Sequence, residues 1–223
     1  MKCLNCNKNE IDDKNFCLEC LSKIHIKDFQ FAWDGLKSMN NEDDNLVKKA
    51  DVLAFITIYL SERIEKEMFD WKELEIKKYK KRKYKNELAY EFLFFIVHLI
   101  DRLSFEVLGE HKRAEFMDCL IPKIATEFIL DSYNSNQKVS ILHSLDLEYN
   151  KKQAEYGKYK KIMAEKDDGL RNTLIYEFSK KIAGMVSEEY DMAMIFCVTE
   201  YVIKIITVLN LQKLFLDCQN PDL

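Results

Sequence analysis

Four of the seven cysteines in this 223-residue chain lie near its start. They form two pairs, Cys3 with Cys6 and Cys17 with Cys20, in the segments CLNC and CLEC. Two thiolates at this spacing reach one metal ion, and two such pairs supply the four sulfur ligands of tetrahedral Zn²⁺. Because protein then fills every coordination position, the spacing predicts a structural zinc site. A redox or iron centre is the alternative interpretation, and His25 is a candidate substitute ligand.

The segment over residues 3–20 resembles the zinc-ribbon and zinc-knuckle families, which present paired cysteines in this way. It differs from the commoner ribbons in carrying Asn7 and Leu21 after the second cysteine of each pair, where those ribbons have glycine. The resemblance implies a small zinc-binding module that serves recognition. Its target is then a protein, a nucleic acid or the chain's own helical part.

Basic residues form two clusters in which aromatic residues are interspersed. Residues 72–85 contain eight basic and two acidic side chains, a local charge of +6. The candidate nucleic-acid contacts in this first cluster are Lys77, Lys78, Lys80, Lys81, Arg82, Lys83 and Lys85. The second cluster contains Lys151, Lys152, Lys158, Lys160 and Lys161 with Tyr149, Tyr156 and Tyr159. Cations that contact phosphates beside rings that stack on bases are typical of single-strand binding. Two solvated helix surfaces are the alternative interpretation.

The stretch from Glu87 to Gly109 is apolar on nearly every side, which predicts a helix buried in the middle of a bundle. Its polar residues Glu91, His98 and Asp101 have two interpretations. They make satisfied polar contacts in a packed core, or they line a cavity beside this central helix that binds a ligand or a substrate. The chain has no HExxH, GxxxxGK[ST] or GxGxxG motif, and no His has a Glu three residues before it, as di-iron bundles require.

The composition predicts the fold class. A content of 48% hydrophobic residues supplies a core, whereas 5 Gly and 2 Pro are too few for the many tight turns of a sheet protein. We therefore expect an all-α fold: a helical bundle of about six helices with a small N-terminal four-cysteine zinc-ribbon-like module. The expected domains are a zinc module at residues 1–24, a linker or docking segment at 25–43, and an all-helical domain at 44–223.

Apolar periodicity and punctuation divide the helical domain. A stripe that starts at Val47 predicts a first long helix from Asp44 to about residue 76. Gly109 should end the central helix, and Pro122 should kink the following helix or begin another. A polar and mobile helix is expected over residues 138–161, interrupted at Gly157. The last helix carries a three-and-four apolar seam over residues 195–216, which predicts either bundle packing or a homodimer.

The remaining features limit the class of protein. The formal charge of -4 gives no general argument for nucleic acid, and the N-terminus lacks the apolar stretch of a secretory signal, so we expect a cytoplasmic protein with reduced thiols. We expect no membrane span, because Glu200 and Lys204 interrupt the most apolar helix. The middle stretch, HLIDRLSFEVLGEHKRAEFMDCLIPKI, resembles all-helical bacterial proteins that have no assigned activity. The sequence thus favours a zinc-binding, non-enzymatic interaction or regulatory protein over an enzyme or small-ligand binder.

Overall fold

The described part of the chain is all-helical, as the composition predicts. The structure is a computed structural model that describes residues 45–69, 85–130, 135–164, 170–186, 191–209, 211, 214 and 215. The helices within these residues are α1 (Asn45–Phe69), α2 (Lys85–Leu130), α3 (Ser135–Tyr156), α4 (Leu174–Val186) and α5 (Met192–Leu209). The described residues contain no strand, and a single bridge joins Lys161 to Thr173. The predicted zinc module and linker, and residues 77–84 of the first basic cluster, lie outside the described residues.

Helix α2 folds back on itself at Gly109. This residue has φ 75° and ψ 176°, a conformation that is essentially restricted to glycine. The guanidinium of Arg113 lies 2.5 Å from the carboxylate of Asp101, although 12 residues of straight helix would separate them by about 18 Å. Residues 85–108, here called arm A, and residues 110–130, called arm B, therefore form a helical hairpin. The prediction that Gly109 ends the central helix is confirmed.

Arm A is the centre of the domain. Every residue from Glu91 to Ile100 is buried, which confirms the buried helix expected from its composition. Helix α1 packs along α2 through Ala50, Leu53 and Ile56, and Lys123 of arm B lies 3.6 Å from Asp51. Arm A carries apolar residues on nearly all of its sides. The other helices therefore pack around it and remove this apolar surface from water.

An aromatic cluster joins arm A to the helices that follow it. Phe95 stacks on Phe178 of α4 with ring centroids 3.7 Å apart, and Phe92 meets the same ring edge-on at 4.9 Å. Tyr156 of α3 lies edge-on to Phe95 at 5.7 Å, and Tyr201 of α5 lies edge-on to Phe92 at 6.0 Å. These ring pairs add directional contacts to the burial of apolar area. They fix how α3, α4 and α5 lie against arm A.

Hydrogen bonds at the helix ends explain several boundaries. The helix predicted to reach residue 161 with an interruption at Gly157 ends at Tyr156. The N–H of Gly157 donates to the carbonyl of Gln153 at 2.9 Å. Asp191 caps α5, since its carboxylate accepts the N–H of Met194 at 3.1 Å. Arm B continues through Pro122, so that proline does not begin a new helix. Helix α3 begins at Ser135, before the expected start at residue 138.

The apolar stripes predict burial well inside the helices and poorly at their ends. Val47 in the first turn of α1 and Leu170 before α4 are each 48% exposed, because no helix within the described residues covers these positions. The seam of α5 is buried against the rest of the chain, at Ile195, Val198, Val202, Ile205 and Leu209. Those residues are therefore occupied within one chain, and a homodimer through this helix would need its opposite face. Among the described helices, none combines the length and apolar composition needed to cross a membrane.

The turn at Gly109 gives a prediction about stability. Gly109→Ala should lower the free energy of unfolding by about 1 to 3 kcal/mol, because a Cβ is strained at this φ and ψ even though nothing lies within 4 Å of it. Gly184→Ala is the matched control, since Gly184 is exposed inside α4 with equally open space. It should raise stability by up to about 1 kcal/mol. Urea denaturation of both variants measures the difference, and equal effects would contradict the hairpin.

Candidate functional site

Glu91 in arm A is the centre of a buried cluster of charged and polar groups. Its Oε2 lies 2.5 Å from Nζ of Lys152 in α3, and its Oε1 lies 2.5 Å from Nζ of Lys181 in α4. The Tyr156 hydroxyl also donates to Oε1. Lys181 makes a second ion pair with Glu155 at 2.7 Å. We call these five residues the Glu91 cluster; its two carboxylates and two ammonium groups balance in charge.

The surroundings of Glu91 keep it ionised. Burial acts to raise its pKa, but hydrogen bonds from Lys152, Lys181 and Tyr156 outweigh burial and lower the pKa below its usual value. Burial and the charge of Glu91 raise the pKa of Tyr156, so its hydroxyl stays protonated and acts as a donor. A carboxylate with a lowered pKa and donors on both oxygens is a poor general base. The arrangement is suited to holding three helices together.

His98 makes a separate contact with α3. Its Nδ1 lies 2.6 Å from Oε1 of Gln153, and burial lowers the pKa of the imidazole although Gln153 and Asp101 act in the opposite direction. The ring is therefore neutral at pH 7, and its Nδ1–H donates to the Gln153 carbonyl oxygen. Among the described residues, His98 Nε2 and Gln153 Nε2 have no hydrogen-bond partner. His98 is a buried core histidine with limited access for a substrate.

The polar residues near the end of arm A hold the chain in place. Asp101 accepts from Arg113 across the turn of the hairpin, with Nε 2.6 Å from Oδ1. Arg102 donates to the backbone carbonyls of Tyr159, at 2.7 Å, and Lys160. Asp101 thus faces arm B, while Glu91 and His98 face α3. The trio of Glu91, His98 and Asp101 proposed for a shared cavity does not form one site.

A cavity beside the central helix exists, but on another face. It has a volume of about 270 Å³ and lies between arm A, arm B and α3. Eight of its ten lining residues are apolar, and the polar ones are Asp146 and Tyr149. None of the trio that the alternative interpretation places around a cavity lines it, and its lining consists mostly of apolar side chains.

The second basic cluster does not lie on one surface. Lys152 and Tyr156 belong to the buried Glu91 cluster, and Tyr149 lines the cavity. Lys158 and Lys160 are exposed. Two of the three tyrosines are therefore taken up inside the domain and are not available to stack on bases. The helix predicted to be polar and mobile is instead held on arm A by its inward face.

The predicted metal site depends on the pattern of cysteines in the sequence. Within the ranges that the structure describes, no group of three or more His, Cys, Asp and Glu side chains is placed to hold a metal ion. The predicted zinc ligands Cys3, Cys6, Cys17 and Cys20, and the substitute His25, lie outside those ranges. Cys119 and Cys197 are half-buried.

Comparison of the chain with protein-family models, with curated proteins and with solved structures finds no match. The functional argument therefore depends on the residues and their geometry.

Sequence reasoning missed the partners of Glu91, although α3 contains a signal that points to them. Tyr149, Lys152, Gln153 and Tyr156 recur at spacings of three and four, which places them on one helix face. A face of long amphipathic side chains can lie on a buried helix while each polar end finds a partner. The spacing of residues in α4 gives no such signal, since it does not distinguish Lys181 from the adjacent Lys180. Only the tertiary fold brings Lys181 to Glu91.

The Glu91 cluster gives a second prediction about stability. Lys152→Met keeps the packing of the side-chain stem but leaves Glu91 without one of its two cations, and should cost about 3 kcal/mol of unfolding free energy. Lys151→Met is the control, since Lys151 is 71% exposed and pairs at the surface with Glu148. It should cost less than about 1 kcal/mol. Chemical denaturation compares the two, and similar losses would show that the cluster does not hold α3 on arm A.

Proposed function

We propose that this protein is a cytoplasmic, non-enzymatic interaction or regulatory protein. Its helical domain carries an N-terminal module that binds zinc through Cys3, Cys6, Cys17 and Cys20. The observation that carries the proposal is the state of Glu91. Its two carboxylate oxygens are engaged by Lys152, Lys181 and Tyr156 inside the domain. The buried carboxylate of Glu91 thus serves to hold helices together, as expected for a scaffold that presents other parts of the chain.

The spacing of the cysteines supports the zinc part of the proposal. Two CxxC pairs supply four thiolates, and residues 1–24 contain too little apolar surface to fold by hydrophobic burial alone. Small closed zinc units commonly act in recognition. The helical domain has a core of its own that is built from residues after Asn45, so the two parts are expected to be separable in stability.

The partner is proposed to be a nucleic acid contacted by residues 77–85. This segment joins α1 to α2 in the chain and belongs to the stretch of local charge +6. Cations at this density attract a phosphate backbone and release its counterions on binding. The second basic cluster contributes less than its composition indicates, because Lys152 and Tyr156 are turned inward. A protein partner is the alternative outcome.

Metal analysis tests the zinc module. The full chain should contain one zinc ion, and Cys3→Ser combined with Cys6→Ser should remove it because two of four thiolate ligands are lost. Inductively coupled plasma mass spectrometry measures the metal, and circular dichroism should show that the helical signal and its melting persist. The control replaces Cys119 and Cys197 by Ser and should keep the zinc. Iron in place of zinc, or no metal, would reject the module as proposed.

Oligonucleotide binding tests the partner. A labelled 20-nucleotide single strand should bind the full chain, more weakly at 200 mM than at 50 mM salt. Lys80→Glu combined with Lys81→Glu should lower the affinity at least about tenfold, because it reverses two cations within the basic segment. The matched control, Lys158→Glu with Lys160→Glu, changes the same charge at exposed positions near the end of α3. Fluorescence anisotropy measures both. Equal loss in the two variants, or no binding, would reject nucleic acid and favour a protein partner.

A further inference from the structure

The cavity between arm A, arm B and α3 has the size of a small-molecule site and is partly open to solvent. Its volume is about 270 Å³. An apolar cavity of about 150 Å³ in another protein binds benzene, so simple proportion allows this one about ten non-hydrogen atoms. A molecule that covers the apolar lining removes that surface from water, which favours binding.

The lining favours an apolar occupant over water. The lining contains Leu93 and Val97 of arm A, Ile121 and Ala125 of arm B, and Leu145 of α3. Its exposed surface is almost entirely apolar, so water within it makes few hydrogen bonds to the protein. Ligand sites commonly have this composition, with a mostly apolar wall and a few polar groups that orient the ligand.

The polar end of the cavity selects the charge of the occupant. Asp146 is exposed and belongs to the lining. Burial, followed by the negative charges of Asp101 and Asp146, raises the pKa of Tyr149 to about 12, and Arg113 opposes this effect. Arg113 is already paired with Asp101 at 2.5 Å. The Tyr149 hydroxyl thus stays protonated as a hydrogen-bond donor, in surroundings that disfavour an anion.

We propose that this cavity binds a small aromatic or short aliphatic molecule of about ten non-hydrogen atoms with a neutral or cationic polar end. The apolar body lies between Val97 and Ala125 of the two arms. The polar end lies at Asp146 and Tyr149, where a cation is attracted by the carboxylate and a neutral acceptor receives the tyrosine hydrogen bond. The site does not involve the zinc module, so it extends the proposed function and does not depend on it.

Isothermal titration of the full chain with three phenyl compounds tests the site. Phenethylamine and 2-phenylethanol should bind with one-to-one stoichiometry at pH 7, and phenylacetate about tenfold more weakly because its charge meets Asp146. Asp146→Asn should reduce this difference. Ala125→Leu should abolish binding by filling the cavity. Thr126→Leu is its control, since the neighbouring Thr126 is exposed and outside the lining.

Further outcomes decide between this occupant and others. In the unsubstituted protein, nuclear Overhauser contacts between phenyl protons and the Ala125 methyl should appear, which keeps the test independent of whether Ala125→Leu folds. Binding should persist in the Cys3→Ser, Cys6→Ser variant. Absence of binding by all three compounds, equal binding by Ala125→Leu, or tightest binding of phenylacetate would overturn the proposal. Binding that appears only after Phe29, Phe31 and Trp33 are replaced by Ser would also overturn it, since the chain's own linker would then occupy the cavity.

Discussion

The ionised carboxylate of Glu91 in the most buried helix of the chain constrains how the other helices pack. A charge in a core costs several kcal/mol unless it is paired and hydrogen-bonded. Here α3 and α4 each bring one lysine to the carboxylate, and α3 adds the hydroxyl of Tyr156. Because breaking any of these pairs leaves a buried charge without a partner, the positions of α3 and α4 on arm A are coupled to each other.

The same contacts explain how α3 is held on the rest of the domain. Its composition is polar, and as an isolated segment it offers little apolar surface to bury. Tyr156 compensates with a ring packed against Phe95 and a hydroxyl bonded to Glu91, and Lys152 adds an ion pair of low exposure. Among the described side chains of α3, charge pairing and the packing of Tyr156, Tyr149 and Leu145 thus take the place of a continuous apolar stripe.

The hairpin at Gly109 has a consequence at its open end. The ion pair between Asp101 and Arg113 holds the two arms close near the turn. Farther along, Val97 and Ile121 lie on either side of the cavity, and α3 covers the remaining side. Pro122 lacks the N–H that would donate to the residue four positions earlier, which weakens the regular packing of arm B at this level. The cavity therefore lies where three helices meet, beside Pro122.

The sequence by itself determined the helical class, the burial of residues 91–100, the break at Gly109 and an interruption at Gly157. Each of these follows from local composition: apolar residues all round a helix require burial, and glycine alone adopts the backbone angles of such a turn. The tertiary structure decided which residues meet Glu91, where the cavity lies and that Lys152 and Tyr156 face inward. Lys181 lies 90 positions from Glu91, and a lysine has the same local pattern whether it reaches a buried carboxylate or solvent. The direction of a long polar side chain depends on which helix packs beside it, and periodicity along one helix does not contain that information.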